Sequence, residues 1–234
     1  MPSDARSAIL AKVRSAIHAG NEQSMAAGNV ATEWAAVPRG YRTGSTMSAE
    51  QLRHQLTDRL HDYDAQVLEA PRAELTDAIA KMLRARSVSR ILIPEGLAER
   101  TLPEGFDFVV EAGLSSAEMN LCEGVLTEST LAIAETGTIV LQNTPGQGRR
   151  AASLVPDYHL CLVDVGSIVA TVPEAIAKLQ ATATLPTTFI SGPSATADIE
   201  MTRIKGVHGP RFLDVILISN ESVPSVSGGS RAIS

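Results

Sequence analysis

Residues 158–190, YHLCLVDVGSIVATVPEAIAKLQATATLPTTFI, decide the fold class. Tyr158 to Asp164 is an almost continuous apolar run, which suits a strand covered on both faces better than one with a solvated side. Thr171-Val172-Pro173-Glu174 then has the pattern of a helix start. A hydroxyl side chain can cap the first free amides, a proline sits where its missing N–H costs nothing, and Glu174 can reach back to the cap. Ile176 and Leu179 form the expected buried face of that helix, and Thr187 to Ile190 reads as the next strand. Strand, helix and strand in succession predict an α/β protein.

The same alternation extends outward in both directions. An extended stretch near 65–69 precedes a helix over about 73–86, with Leu75, Ala78, Ile79, Met82 and Leu83 on one side. Further strands are expected at 90–94, 107–110, 131–134, 138–142 and 213–219. Only Glu135-Thr136-Gly137 joins two of these, too little for a helix, so they must form a hairpin or a bulged bend. The reading is a three-layer α/β/α arrangement around a mostly parallel, partly mixed sheet. Ser48-Ala49-Glu50-Gln51 has the capping-box pattern and starts a helix that carries Leu52, Leu56 and Leu60 on one face. Residues 3–19 read as an amphipathic helix, with Ile9, Leu10 and Val13 at helical spacing and Gly20 at its end. Residues 20–47 show no period and read as a linker. The expected division is therefore 1–47 for a helix and arm, 48–220 for the α/β domain, and 221–234 for a Ser/Gly-rich tail.

A chain of 234 residues that is 44% hydrophobic is long enough for one sizeable core. Its 20 basic and 26 acidic residues give a net charge of -6, and no basic block is present, which disfavours nucleic acid as a partner. No apolar run reaches the roughly 20 residues of a membrane span, so a cytoplasmic protein is expected. Two cysteines, Cys122 and Cys161, are too few for an iron–sulfur cluster, which usually takes four thiolates. No cofactor and no metal is expected in this chain.

Four segments could carry chemistry. Glu135-Thr136-Gly137-Thr138 packs a carboxylate, two hydroxyls and a glycine between apolar strands, and could hold a small anion or be an ordinary solvated turn. Asn143-Thr144-Pro145-Gly146-Gln147-Gly148-Arg149-Arg150 offers loop amides and guanidinium groups; Arg149 is favoured for a ligand and Arg150 for a surface ion pair. Ser191-Gly192-Pro193-Ser194 ends a strand, and Ser194 is placed to cap a short helix whose first turn would hold Thr196 and Asp198. Ligands collect at the carboxyl ends of strands in open α/β sheets, and this turn would lie there. Gly206-Val207-His208-Gly209-Pro210 holds a histidine that could move a proton, although a lone histidine is more often structural.

Taken in order, Ala134 to Thr138, Ser153-Leu154-Val155-Pro156, Tyr158-His159, Ser191 to Glu200 and Gly206 to Pro210 resemble the motif series of the LUD-domain family of lactate-utilisation proteins. The resemblance spans about residues 64–220. It implies a fold like that of phosphosugar isomerases, CoA transferases and formyltetrahydrofolate cyclo-ligase (NagB/RpiA/CoA-transferase-like). It also implies a role in oxidising L-lactate to pyruvate beside partner proteins that carry iron–sulfur clusters. On that reading a small carboxylate or phosphate-like ligand would meet Thr136, Gly137, Thr138, Arg149, Ser191, Gly192, Ser194, Thr196 and Asp198, with Glu135 or His208 handling any proton. The alternative is a stand-alone enzyme of the CoA-transferase or cyclo-ligase type, with Glu135 or Glu200 as nucleophile or the Gly146 to Arg150 loop around a nucleotide phosphate.

Overall fold

The computed structural model describes residues 3–21, 30–97, 102–197, 203–206 and 208–219. Two compact units emerge, Met1–Tyr41 and Arg42–Ser234, beside an expected division after residue 47. The first unit holds α1 (Ser3–Asn21) and α2 (Val30–Ala36). The second helix interrupts the stretch read as linker. Its short VATEWAA run carries Glu33 in the first turn, which suits the positive end of the helix dipole, and Arg39 closes over Trp34, 4.9 Å from the ring centroid, while bonding the Trp34 carbonyl.

The larger unit begins with α3 (Ala49–Asp62), where the predicted box forms: Ser48 Oγ accepts the Gln51 N–H and the Gln51 side chain accepts the Ser48 N–H. Then come β1 (Gln66–Pro71), α4 (Leu75–Ala85), β2 (Arg90–Pro94), β3 (Asp107–Glu111), α5 (Ser116–Met119), β4 (Gly124–Glu128), β5 (Leu131–Ile133), β6 (Thr138–Gln142), β7 (Tyr158–Asp164), β8 (Ile168–Val169), α6 (Val172–Leu179), β9 (Thr187–Ile190), β10 (Ala195–Ala197), β11 (Arg203–Lys205) and β12 (Phe212–Ser219). Among the described residues, one sheet runs β1-β12-β7-β4-β2-β3 and is parallel throughout. A second runs β8-β5-β6-β9 and contains the antiparallel pairs; β10 and β11 form a separate ribbon. The α/β class and the mostly parallel sheet stand as expected, with the antiparallel pairing segregated into the second sheet.

Alternation along the central strands explains the layering, because successive side chains point to opposite faces. Tyr158, Leu160 and Leu162 of β7, with Ile216 and Ile218 of β12, meet Ile79, Met82 and Leu83 of α4. Cys161, Val163, Leu213, Val215 and Leu217 point the other way, to Leu56 and Leu60 of α3 and to Ala132, Ile139 and Leu141 of the second sheet. α6 then covers the outer face of that sheet through Ala175 and Leu179. The order is α4, parallel sheet, α3 with the second sheet, and α6.

Two expectations fail here. The unit from Tyr158 to Ile190 is not a crossover within one sheet, because β9 pairs antiparallel with β6 and not beside β7. β9 is an edge strand with half-buried residues, whereas β7 is buried along nearly its whole length. Ile176 is exposed at 44%, and Ala175 takes the buried position predicted for it.

Candidate functional site

Between the two sheets lies a cleft of about 190 Å³, walled by the end of β9, the turn Ser191–Ser194, the segment Arg150–Leu154, and the loop His208–Pro210. His159 and Leu213, second residues of β7 and β12, form its inner wall. The cleft therefore sits at the carboxyl end of β9 but at the amino ends of the central parallel strands. Its volume is below the roughly 300 Å³ where pockets for drug-sized ligands begin, and suits a ligand of few heavy atoms.

Ser194 assembles the rim. Its N–H donates to the Pro210 carbonyl at 2.8 Å, its carbonyl accepts the Gly206 N–H at 2.9 Å, and its hydroxyl accepts the His208 N–H at 3.2 Å. These bonds replace the helix cap expected at this residue, since an extended β10 follows and ribbon pairing with β11 takes the backbone groups a helix would have used. Ser191 is braced from behind: Thr136 Oγ1 and Thr138 Oγ1 lie 2.7 Å apart, and Thr138 Oγ1 lies 2.7 Å from Ser191 Oγ. Thr136 and Thr138 thus orient Ser191 while not lining the cleft themselves.

The two glycines have structural causes of their own. Gly137 has φ +62° and a Cβ there would sit 2.7 Å from Cβ of Arg59; Gly192 has φ +85° and would meet Tyr63 at 2.7 Å. Both let a turn approach α3 and its C-terminal residue closely, a steric requirement that explains them without a ligand.

Arg149 and Arg150, favoured in the sequence for a ligand and for an ion pair respectively, have different surroundings. Arg149 Nε donates to Glu111 Oε1 at 2.7 Å, its Nη2 bonds the Leu114 carbonyl, and it lies in a different depression with Glu95 and Thr144. Arg150 lines the cleft, and among the described residues no carboxylate pairs with it. The turn that presents it is closed by the Ala152 N–H to the Arg149 carbonyl at 3.0 Å and by Ser153 Oγ to the Arg150 carbonyl at 3.1 Å. Three amides of the Gly146 to Arg150 loop are already engaged: Gly146 N–H bonds the Glu95 carbonyl, and those of Gln147 and Gly148 bond the Thr144 carbonyl. A phosphate cradle would need those donors.

Glu135 is half-exposed and paired with Arg42 at 2.8 Å, outside the cleft lining. His208 is exposed on the rim. The side chain of Thr196, and Asp198 and Glu200 entirely, lie outside the described residues. No three His, Cys, Asp or Glu side chains among the described residues gather closely enough for a metal ion.

His159, which the sequence showed only as part of the Tyr158-His159 motif and with no site role, is 1% exposed. Its Nε2 lies 2.8 Å from Thr127 Oγ1, and burial pushes the imidazole down to about 4, so it is neutral at ordinary pH. Thr127 Oγ1 in turn approaches Cys161 Sγ at 3.6 Å, and Cys161 faces the Glu128 carbonyl at 4.0 Å. The thiol is pushed up to about 12 by the same burial, which makes it inert as a nucleophile. The available signal was a histidine inside an otherwise apolar strand, where a polar ring must find a partner or a cavity.

Comparisons with known proteins come from three directions. The LUD domain profile matches residues 53–218. A lactate utilization protein C from Deinococcus radiodurans is 42% identical over 181 residues, 76% of this chain and 84% of that protein. Its counterpart from Bacillus subtilis is 29% identical over 209 residues, 80% of this chain and 86% of that one. A crystal structure of a DUF162 family protein from Deinococcus radiodurans superposes with a TM-score of 0.65 at 40% identity, over 74% of this chain and 99% of its own.

Proposed function

Because the chain belongs to the LUD-domain family, we propose that it serves L-lactate utilisation, the oxidation of L-lactate to pyruvate, by holding a small carboxylate in the cleft beside Arg150. The observation that carries this reading is a guanidinium with no carboxylate partner among the described residues, on a cleft too small for a large ligand. A planar cation with several N–H donors binds a carboxylate through two parallel hydrogen bonds. Ser191, braced by Thr138, and Ser194, fixed to the opposite loop, add hydroxyls on the same cleft. Cytoplasmic residence fits this role, and among the described residues no helix is long and apolar enough to cross a membrane.

Oxidation of a hydroxy acid removes two electrons, and this chain contributes only two thiols, both buried. In this reading the electrons pass to partner proteins that carry iron–sulfur clusters, while this chain binds and orients the acid. Deleting the gene should impair growth on L-lactate as sole carbon source. Reintroducing the natural chain should restore it, and Arg150→Met should not. Native purification should bring cysteine-rich iron–sulfur proteins with the chain. Normal growth of the deletion strain on lactate overturns the role, and saturable CoA or ATP binding by the isolated chain would point to a free-standing transferase or ligase instead.

A further inference from the structure

The polar line that ends on the cleft has a direction. The Glu128 carbonyl can only accept a hydrogen bond, so the Cys161 thiol facing it donates. Cys161 sulfur is then free to accept from the Thr127 hydroxyl, the sense in which that 3.6 Å contact is aligned. In that order the Thr127 hydroxyl gives its proton to sulfur and Thr127 Oγ1 accepts from His159 Nε2 at 2.8 Å, the tautomer with the ring proton on Nε2. A neutral imidazole has a single ring proton, so Nδ1 is a bare acceptor. Among the described residues Nδ1 has no hydrogen-bond partner and is not one of the fully enclosed orphan polar atoms, and His159 is one of the residues that line the cleft.

We propose that His159 Nδ1 is a specificity determinant of the cleft, accepting the hydroxyl proton of a 2-hydroxycarboxylate and thereby favouring the hydroxy acid over the 2-oxo acid. A keto oxygen carries no proton and would set lone pair against lone pair in a buried site, which costs more than the loss of an ordinary exposed hydrogen bond. Thr127 is the positioning residue, since it selects the tautomer without touching the ligand. The inference rests on the carboxylate reading of the cleft, and it names the substrate class within it.

Calorimetry on the full chain with L-lactate, propionate and pyruvate tests it. L-lactate is expected to bind roughly tenfold more tightly than propionate, which lacks the hydroxyl, and more tightly still than pyruvate. Thr127→Val frees the tautomer, and the lactate-to-pyruvate ratio should fall toward one; Arg150→Met should weaken both acids together. Equal binding of lactate and pyruvate by the natural chain overturns the inference and leaves the carboxylate reading intact. Failure of all three acids to bind overturns both. Nitrogen NMR of the free natural chain supplies a measurement that needs no variant: Nε2 of His159 should carry the proton, and a proton on Nδ1 overturns the proposal.

Discussion

Replacing His159 by glutamine should make the difference in stability between natural and variant chains depend on pH in a calculable way. Burial holds the imidazole near 4 in the folded state against 6.5 for a free side chain. Each unit of displacement is worth about 1.4 kcal/mol, so the full separation corresponds to about 3 kcal/mol. The sign follows from proton uptake: between pH 6.5 and 4 the unfolded chain binds a proton at this position and the folded chain does not. The contribution is therefore fully present above pH 6.5, is lost as pH falls, and levels off below about 4. The glutamine side chain of the variant cannot titrate. Urea unfolding of both chains at pH 7, 6, 5 and 4 should show the natural chain's advantage shrinking by about 3 kcal/mol across the series, a large part of the roughly 5–15 kcal/mol that holds a domain folded. The neighbouring groups do not supply the same term, since Thr127 and Leu213 do not titrate in this range and Cys161 is pushed upward. Arg150 and His208 share the cleft but remain in the variant. A pH-independent difference would mean that His159 takes up its proton as readily folded as unfolded, and would refute the account of a dry, neutral ring.

Other substitutions separate support from binding. Arg149→Met leaves the buried Glu111 carboxylate without its partner and should cost about 1–3 kcal/mol in urea unfolding while leaving lactate affinity unchanged. Asp214→Asn breaks a bidentate pair in which a fully buried carboxylate accepts from Arg86 Nε and Nη2 at 2.8 and 2.7 Å, so a loss of about 3 kcal/mol is expected from the same measurement. Gly137→Ala forces a positive φ on a residue with a Cβ and drives it against Arg59; a fall of about 2 kcal/mol, read as a lower Tm in calorimetry, is expected. Leu56→Ala empties a fully buried position between α3 and the second sheet, at about 2–5 kcal/mol.

Local rules made much of this protein legible in its sequence. The capping boxes at Ser48 and Thr171 depend on residues three apart along the chain, and both form. β2, β6, β7 and β9 begin and end where their apolar runs do, because a run bounded by turn residues marks its own limits. β4 escapes a local reading: Gly124-Val125-Leu126-Thr127-Glu128 is short, starts on glycine and ends on polar residues, and its burial comes from lying between β2 and β7. Arg149 and Arg150 could not be told apart either, since the acid that claims Arg149 is Glu111, 38 residues away.

The run from Tyr158 to Ile190 marks the division. Its composition determined that two strands and a capped helix would form there, through backbone propensity, side-chain period and caps that act within a few residues. Tertiary structure alone decided that the strands enter different sheets, because strand partnership is settled by which distant edge completes the hydrogen bonding. That separation places His159 and Ser191, neighbours in neither sequence nor sheet, on opposite walls of one cleft. Arg150 and the loop held by Ser194 close it from outside, where long-range hydrogen bonds, rather than any local pattern, set their positions.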